Sequence, residues 1–455
     1  MGIEISIEWL TFAMFGSLLV FLMAGLPLAF MTGGLGVIFL VVFGDLNMVH
    51  MLPSRIFPFM TNYQLSALPL FLFMAAILER AGLIDALFDV VYKCLGGLKG
   101  GLASAAVIAS TILAAMVGVI GATEVTMAMI ALPAMLIRKY NPELACGSIL
   151  AGGSLGILIP PSVMAILVAL VLGRSIGELF VGAVFPGLLL AFLYIVYITA
   201  RCYMNPSFGP ALPPEERLST REKLKLIRSI IAPLSLVALV LGVIFTGAAT
   251  PVEAAGIGTF GALFVMGLSR RLTWHAIREA AEMTLRYTIM VLWIIFGASI
   301  FVGFYIFQGG ADFVNNVLLG TGLPPYGILL VMMVLLIILG MFLDWVGIMF
   351  LALPIFAPIV NGLAWDGILG LPGVAPGEVL IWFGVVYMVN MQMSFLSPPF
   401  GYALFYLKSV AGSTIPMSTI YRAAIPFLGL QAVALFICVA FPEVILWLPR
   451  LIYGQ

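Results

Sequence analysis

Two acidic residues interrupt long apolar stretches of the sequence: Glu124 in GVIGATEV, residues 118–125, and Asp344 in GMFLDWVG, residues 340–347. An acidic side chain at the centre of a membrane helix costs at least about 2.5–3.5 kcal/mol on insertion scales. Neither stretch holds a lysine or arginine that could balance the charge. A bound cation would be a suitable partner for Asp344. A protonated or backbone-bonded carboxyl is the alternative for both residues.

Two further apolar runs are interrupted by paired prolines, in GGSLGILIPPSV, residues 152–163, and in NMQMSFLSPPFG, residues 390–401. A proline inside a helix costs roughly 3 kcal/mol, and irregular backbone at membrane depth is tolerated only where it is packed in protein or lines a cavity. Such a break offers free carbonyls to a cation and free N–H groups to an anion. Ser162 and Ser397 flank the prolines and add hydroxyl oxygens. The alternative is that each pair of prolines merely kinks a packed helix.

The composition predicts an all-helical, polytopic membrane protein. The chain is 63% hydrophobic and 9% charged, with 20 residues of each sign, so it has no basic surface for nucleic acid. Its four cysteines, at positions 94, 146, 202 and 438, form no CxxC pair, which argues against a disulfide framework or a thiolate metal site. With only His50 and His275 available, no Ser-His-Asp or His-rich metal site is expected.

The distribution of lysine and arginine predicts the topology. Basic residues cluster at 93–99, 138–139, 201–228 and 270–286, and none lies between Arg286 and Lys408. The positive-inside rule therefore places the clusters in the cytoplasm and the loops near Asp312 and Asp366 outside. The first basic residue is Arg55, so the N-terminus does not resemble a cleavable signal. Both termini are expected on the periplasmic side.

Threading the apolar runs through this topology gives two similar halves. Residues 1–202 hold spans near 7–25, 27–44 and 64–79, an interfacial helix at 81–96, a hairpin at 102–137, a broken helix at 143–172 and a span at 179–200. A cytoplasmic linker, 203–229, follows. Residues 230–455 hold spans near 231–248, 252–268 and 287–307, a hairpin at 326–360, a broken helix at 379–407 and a span at 419–441.

Local sequence matches support the comparison of the halves. ALPAM at 131–135 matches ALPIF at 352–356, and ILIPPSV at 157–163 matches FLSPPFG at 395–401. Two similar halves with opposite charge bias predict an inverted-topology repeat, an architecture found in many secondary transporters. A chance match of short apolar strings is the alternative.

Four motifs, taken in order, resemble those of one transporter family. GGSLGILIPPSV, GAATPVEAAGIG (247–258), the stretch containing GMFLDWVG, and FLSPPFGYALF are similar to motifs of the large membrane subunit of TRAP transporters, the tripartite ATP-independent periplasmic family. The resemblance covers nearly the whole chain. Within the second motif, Thr250 and Glu253 also have the spacing of a capping box, with Pro251 at the first helical position.

The resemblance implies an elevator-type transporter that takes up a small organic acid with sodium as the coupling ion and no other cofactor. It implies one sodium site at each pair of hairpin and break, and a mobile domain of hairpins and broken helices that carries the substrate past a scaffold. The first sodium site would involve Gly118, Gly121, Thr123, Gly153, Pro160 and Ser162. The second would involve Gly340, Asp344, Gln392, Ser394, Ser397 and Pro398. The substrate candidates are Ser154, Pro161, Ser162, Ser397 and Pro399.

One feature departs from the family pattern. The first hairpin tip is often rich in serine in the family, whereas here it reads GVIGATEV. Thr123 is then the residue that would supply a hydroxyl oxygen to the first site. The family also implies two partner chains, a small four-helix membrane subunit and a periplasmic substrate-binding protein, in the bacterial inner membrane.

Three other classes of protein are weighed as alternatives. A stand-alone sodium symporter of the divalent-anion type shares a similar repeat, but its usual serine-asparagine-threonine tips are absent. A membrane-embedded enzyme would need clustered reactive groups, and no paired carboxylates, HExxH or DDxxD occur. A proton-pumping redox subunit would need a chain of buried ionisable groups across the span.

Overall fold

A computed structural model of the chain describes residues 5–44, 46–118, 120–213, 220–368 and 371–454. These residues form α-helices joined by short turns and 3-10 segments, and they include no β-strand. The predicted all-helical polytopic fold is confirmed. Seven of the described helices are long and apolar enough to cross a membrane. The segments Met48–Met60 and Tyr63–Arg80, which meet at an angle of 57°, form an eighth crossing if they are taken together.

The helices of the first half are α1 (Ile7–Met23), α2 (Leu28–Phe43), α3 (Met51–Met60), α4 (Ala67–Arg80), α5 (Leu83–Leu95), α6 (Gly101–Val117), α7 (Ile120–Ile137), α8 (Pro142–Ser154), α9 (Val163–Leu172) and α10 (Ile176–Met204). Those of the second half are α11 (Thr220–Phe245), α12 (Pro251–Leu268), α13 (Trp274–Phe307), α14 (Gly310–Leu319), α15 (Pro325–Phe342), α16 (Trp345–Gly362), α17 (Val379–Leu396), α18 (Tyr402–Ala411), α19 (Met417–Ala440) and α20 (Glu443–Tyr453).

The packing of the helices repeats with the two halves exchanged. Helix α7 contacts α18 of the other half, and its counterpart α16 contacts α9. Helix α8 contacts α19, and correspondingly α17 contacts α10. The outer helices follow the same pattern, because α2 contacts α13 while α12 contacts α4, and α1 contacts α14 while α11 contacts α5. This reciprocal exchange is the packing expected of an internal repeat related by a pseudo-two-fold axis.

Two helical hairpins and two broken helices occupy the centre of this arrangement. The hairpin predicted at 102–137 consists of α6 and α7, and the hairpin predicted at 326–360 consists of α15 and α16. The broken helices are α8 with α9 and α17 with α18, and both Pro160–Pro161 and Pro398–Pro399 peptide bonds are cis. Gly118 turns the first hairpin with φ +64°, and a Cβ there would lie 2.6 Å from the carbonyl oxygen of Pro161. The first hairpin tip therefore packs directly on the first break.

The structure differs from the predicted boundaries in two places. The linker prediction, 203–229, is wrong for its last part, because α11 already begins at Thr220. The charged stretch before residue 233 has neither glycine nor proline, so the helix extends beyond the apolar span. The span predicted at 287–307 is the C-terminal part of α13, which has 34 residues. At 1.5 Å per residue α13 is about 50 Å long, so its charged N-terminal turns extend beyond a bilayer core of ~30 Å.

Three short helices, α3, α14 and α20, were not predicted. Each has 10 or 11 residues. Helices of this length are shorter than the apolar runs of about 20 residues that indicate a membrane span. Helix α5 corresponds to the predicted helix at 81–96.

An ion cluster attaches α20 to the start of the second broken helix. The Arg450 guanidinium donates to both carboxylate oxygens of Glu378, at 2.6 and 2.7 Å, and it also pairs with Glu443. Glu378 is buried and immediately precedes α17. The hydrogen bonds from Arg450 hold the pKa of the Glu378 carboxyl below its usual value of 4.5.

We expect Arg450→Met to destabilise the protein by about 2–3 kcal/mol at neutral pH, because the buried Glu378 carboxylate loses both hydrogen bonds. Since the folded-state pKa of Glu378 is lowered, this contribution exists above the unfolded-state pKa and disappears as pH falls through the folded-state value. Thermal unfolding of the wild type and of Arg450→Met is measured in detergent as a function of pH. The difference in stability between them should shrink below about pH 4.5. A difference that is constant from pH 7 to pH 4 would contradict this origin.

Candidate cation and substrate site

A small cavity of about 90 Å³ lies where the two hairpin tips and the two breaks meet. The hairpins contribute Gly121, Asp344 and Trp345 to its wall. The broken helices contribute Val163, Phe395, Tyr402 and Tyr406. The remaining wall comes from α4 and α13, with Leu72, Tyr287, Met290 and Val291. The cavity thus joins the central helices of both halves to two of the outer helices.

Asp344 is the acidic residue of this cavity. It is the N-cap of α16, and its Oδ2 accepts a hydrogen bond of 3.1 Å from the backbone N–H of Val346. The described residues contain no ion pair between Asp344 and a lysine, arginine or histidine. The side chain is partly buried and lines the cavity. A carboxylate at the N-terminus of a helix is stabilised by the partial positive charge of the helix dipole. The same carboxylate can attract a cation.

The other residues predicted for the second sodium site lie on α15, α17 and the second break. A Cβ on Gly340 would lie 2.4 Å from Ser394 Oγ, so α15 and α17 pack tightly at this point. Ser394 Oγ donates to the carbonyl of Met391 and Ser397 Oγ to that of Met393, both at 2.7 Å. Each hydroxyl oxygen keeps lone pairs for another partner. Pro398 is partly buried and follows Ser397 directly.

Gln392 stands out within the second site because it is fully buried and neither atom of its amide has a hydrogen-bond partner. An unpaired buried amide costs about 1–3 kcal/mol. Gln392 does not line the cavity. The Gln392 amide, with an unsatisfied donor and acceptor, is thus a near neighbour of Ser394 and Ser397 in the sequence.

The residues predicted for the first sodium site surround the first hairpin tip. Gly121 lies against the ring of Tyr406, and a Cβ there would be 3.3 Å from that ring. Thr123 is buried, and Pro160 and Pro161 are buried in the break. Ser162 Oγ donates to the Ile157 carbonyl at 2.5 Å and accepts from the backbone N–H of Ala165 at 3.4 Å. Ser162 is thus the N-cap of α9, and its hydroxyl proton is already engaged.

None of the five predicted substrate contacts lines the cavity, and two of them have hydrogen-bond partners elsewhere. Ser154 Oγ donates to the Ala151 carbonyl at 2.8 Å and accepts from Gln431 Nε2 at 3.3 Å, so it joins α8 to α19. Pro399 is exposed, and its carbonyl accepts a hydrogen bond from the Tyr421 hydroxyl at 3.0 Å. Among the predicted site residues, the structure brings Gly121 and Asp344 into the cavity wall.

The aromatic wall of the cavity was not predicted from the sequence. Tyr287, Tyr402 and Tyr406 line the cavity together with Trp345, which follows Asp344. Tyr402 and Tyr406 are one turn apart at the start of α18, directly after the second Pro-Pro break. Their position after a predicted break was a usable signal. Tyr287 comes from α13, and no sequence signal placed α13 next to the hairpins.

Thr250 and Glu253 lie away from the cavity, at the start of α12. The Thr250 N–H donates to Glu253 Oε2 at 2.8 Å, and the Glu253 N–H donates to Thr250 Oγ1 at 3.3 Å. Both hydrogen bonds of a capping box are therefore present, and both are exposed. The pair fixes the start of a helix, and neither residue lines the cavity.

Comparison with known proteins connects this geometry to one family. The family model of the tripartite ATP-independent periplasmic transporter, DctM component, matches residues 15–444. The chain is 33% identical to the C4-dicarboxylate TRAP transporter large permease protein DctM of Pseudomonas aeruginosa, over 91% of this chain and 92% of that protein. It is 28% identical to the sialic acid TRAP transporter large permease protein SiaM of Vibrio cholerae, over 87% and 88%.

A solved structure shares the fold at low sequence identity. The YdaH transporter of Alcanivorax borkumensis superposes with a TM-score of 0.64 and 14% identity, covering 93% of this chain and 98% of that one. This similarity concerns the fold alone.

Proposed function

The chain belongs to the DctM component family of tripartite ATP-independent periplasmic transporters, and from that premise we propose that it couples the uptake of a small organic acid to a sodium gradient. The observation that carries the proposal is Asp344, a carboxylate without a cationic partner among the described residues, in the wall of a cavity shared by both hairpins and both breaks.

Sodium suits the groups present at the two breaks. The described residues hold no group of three or more His, Cys, Asp or Glu side chains that could bind a metal, so a site for zinc or another transition ion is not supported. Hydroxyls, backbone carbonyls and one carboxylate are hard oxygen ligands, which favour an alkali cation. Asp344, Ser394 and Ser397 supply such oxygens for the second site, and the helix ends at each break supply carbonyls.

An organic acid suits the anion-binding groups around the same cavity. Helices α9 and α18 both begin at the cavity, with Val163 and Tyr402 in its wall, and the N-terminus of a helix attracts anions through its free N–H groups and dipole. The cavity wall contains no lysine, arginine or histidine among the described residues. Recognition of a carboxylate then rests on N–H groups and tyrosine hydroxyls. The named substrates of the two relatives, C4-dicarboxylates and sialic acid, both carry carboxylates.

The mechanism that fits this arrangement is an elevator movement. The hairpins and broken helices, with α10 and α19, form the moving part, and α1, α2, α4 and α11–α13 form the scaffold. The cavity lies between the two, since its scaffold wall consists of Leu72, Tyr287, Met290 and Val291. This wall is mainly apolar, and an apolar surface can slide past its partner without breaking ion pairs. The halves 1–202 and 230–455 would have opposite orientations in the bacterial inner membrane, with both termini periplasmic.

Transport measurements test the sodium coupling directly. The large chain, its small four-helix membrane partner and the substrate-binding protein are reconstituted in liposomes, and substrate uptake is compared under inward gradients of sodium and of potassium. We expect the substrate to accumulate under the sodium gradient and not under the potassium gradient. Equal accumulation under both gradients would refute sodium coupling.

Labelling of single cysteines tests the inverted orientation of the halves. Lys139 and Asp366 are both exposed, and the proposed topology places them on opposite sides of the membrane. A membrane-impermeant thiol reagent applied to intact spheroplasts should label Asp366→Cys and leave Lys139→Cys unlabelled until the membrane is opened. Each variant thus serves as the control for the other, and equal labelling of both in intact spheroplasts would contradict the topology.

A further inference from the structure

A buried carboxyl near the first break has no partner in the described part of the chain. Glu124 on α7 is 0% exposed, and neither Oε1 nor Oε2 has a hydrogen-bond partner. Ser110 on α6 is equally buried, and its Oγ also lacks a partner. Each unsatisfied buried polar group costs about 1–3 kcal/mol, and native proteins leave few of them without a water, an ion or a protein partner. Two such groups near one break indicate an occupant.

Two adjacent glycines bring these side chains against the same piece of backbone. A Cβ on Gly153 would lie 2.9 Å from Glu124 Cβ and 3.1 Å from its Cγ. A Cβ on Gly152 would lie 2.8 Å from both Cβ and Oγ of Ser110. Any larger residue at either position would displace Glu124 or Ser110. The Gly152–Gly153 pair therefore allows α6 and α7 to place one hydroxyl and one carboxyl beside the last turn of α8. The carbonyls of Gly152 and Gly153 accept from the backbone N–H of Leu155, and each oxygen keeps a second lone pair.

The internal repeat gives Glu124 a counterpart. Alignment of ALPAM with ALPIF places Thr123 opposite Asp344, and Glu124 is the next residue. The second arm of each hairpin thus carries a carboxylate close to its tip. Asp344 lines the cavity, whereas Glu124 faces the broken helix of its own half.

In the part of the chain that the structure describes, no basic side chain is placed to neutralise Glu124. Helix α6 has no charged residue, and α8 has only Glu143, which pairs with Arg422 at 3.1 Å. On α18, Lys408 donates to the carbonyls of Gly412 and Ile415.

Two further cations near α7 have other partners. Arg138 follows the far end of α7 and donates to the Tyr92 hydroxyl. On α5, Lys93 pairs with Asp89 at 2.6 Å. The described neighbours of α7 thus supply no cation for the Glu124 carboxylate.

We propose that Glu124 is the anionic ligand of the cation site in the first half, with Ser110 as a neutral ligand and the carbonyls at the end of α8 completing the oxygen donors. The inference rests on the proposed sodium coupling and deepens it. It also accounts for the departure of this hairpin tip from the serine-rich family pattern, because a carboxylate supplies the charge that neutral hydroxyls do not. Ser162 is a weaker candidate than Ser110 for the neutral ligand, because its hydroxyl already caps α9 and donates to the Ile157 carbonyl.

Direct binding of radioactive sodium tests the inference without relying on transport. The full chain is purified together with its small membrane partner, and sodium-22 binding is measured for the wild type and for Glu124→Gln, which keeps the shape and removes the charge. We expect the variant to lose one class of sodium site or to bind at that site at least about tenfold more weakly. Glu282→Gln, an exposed acid paired with Arg278, is the matched control and should bind as the wild type does.

The outcomes separate the inference from the function on which it rests. Wild-type protein that binds no sodium would refute the proposed sodium coupling. Wild type and Glu124→Gln with the same affinity and number of sites would refute the role of Glu124 alone. If Glu124→Gln cannot be purified as a folded complex, Ser110→Ala provides the second test, with an expected loss of about threefold to tenfold in affinity. Unchanged sodium binding by Ser110→Ala would then overturn the proposal.

Discussion

Replacing Asp344 with asparagine is expected to raise the sodium concentration for half-maximal uptake by about tenfold or more. At an effective dielectric near 20, a carboxylate and a cation about 4 Å apart attract each other by about 4 kcal/mol, and each 1.4 kcal/mol corresponds to a factor of ten in affinity. Asparagine caps helices as well as aspartate does, so the hydrogen bond from Val346 and the start of α16 are preserved. The variant therefore removes charge and leaves the local fold in place.

Two comparisons make the Asp344 measurement specific. Asp366→Asn removes the same charge from an exposed loop residue outside the cavity wall and should leave the sodium titration unchanged. Ser397→Ala removes at most one neutral oxygen and should shift the titration less than Asp344→Asn does. Sodium titrations of uptake in the reconstituted system, normalised to the amount of each variant, provide the measurement. An unchanged titration for Asp344→Asn would rule out a direct role in sodium binding.

The parts of the fold that the sequence predicted depend on local chemistry. A Pro-Pro pair removes backbone donors wherever it occurs, so both breaks could be placed from Pro160–Pro161 and Pro398–Pro399. The hairpins followed from apolar stretches that leave and return to the same charged side. The Thr250–Glu253 spacing is a local signal as well, and the structure has both of its hydrogen bonds. Such features involve residues within one turn or one apolar run.

The parts that could not be predicted depend on contacts between distant segments. Ser154 has a hydroxyl and lies next to the first break, as a substrate ligand would. Its hydroxyl oxygen instead accepts a hydrogen bond from Gln431, which is 277 residues away in sequence. Tyr287 reaches the cavity because α13 packs against α16, and spacing within one helix contains no such information. The close packing of Glu124 on α8 likewise depends on Gly153. Tertiary packing decides which of the candidate polar residues meet.

The large chain reconstituted alone under an inward sodium gradient is expected to accumulate no substrate. A soluble binding domain needs roughly 100 residues or more, and the longest predicted outer loop, 361–378, is far shorter. We therefore expect that capture of a dilute substrate requires a separate binding protein. The scaffold also exposes large apolar side chains such as Phe12, Phe30 and Trp293. A helical membrane subunit packed on this surface would hold the scaffold still while the hairpins move.

Stepwise addition of the partners tests this dependence. Proteoliposomes with the large chain alone, with the small membrane subunit added, and with substrate-loaded binding protein added last are compared under the same sodium gradient. We expect uptake at least about tenfold above background only when all three components are present, because a soluble binding protein delivers substrate at high local concentration. Binding protein without substrate is the control for leakage. Strong sodium-driven uptake by the large chain alone would contradict the tripartite assignment and favour a stand-alone symporter built on the same repeat.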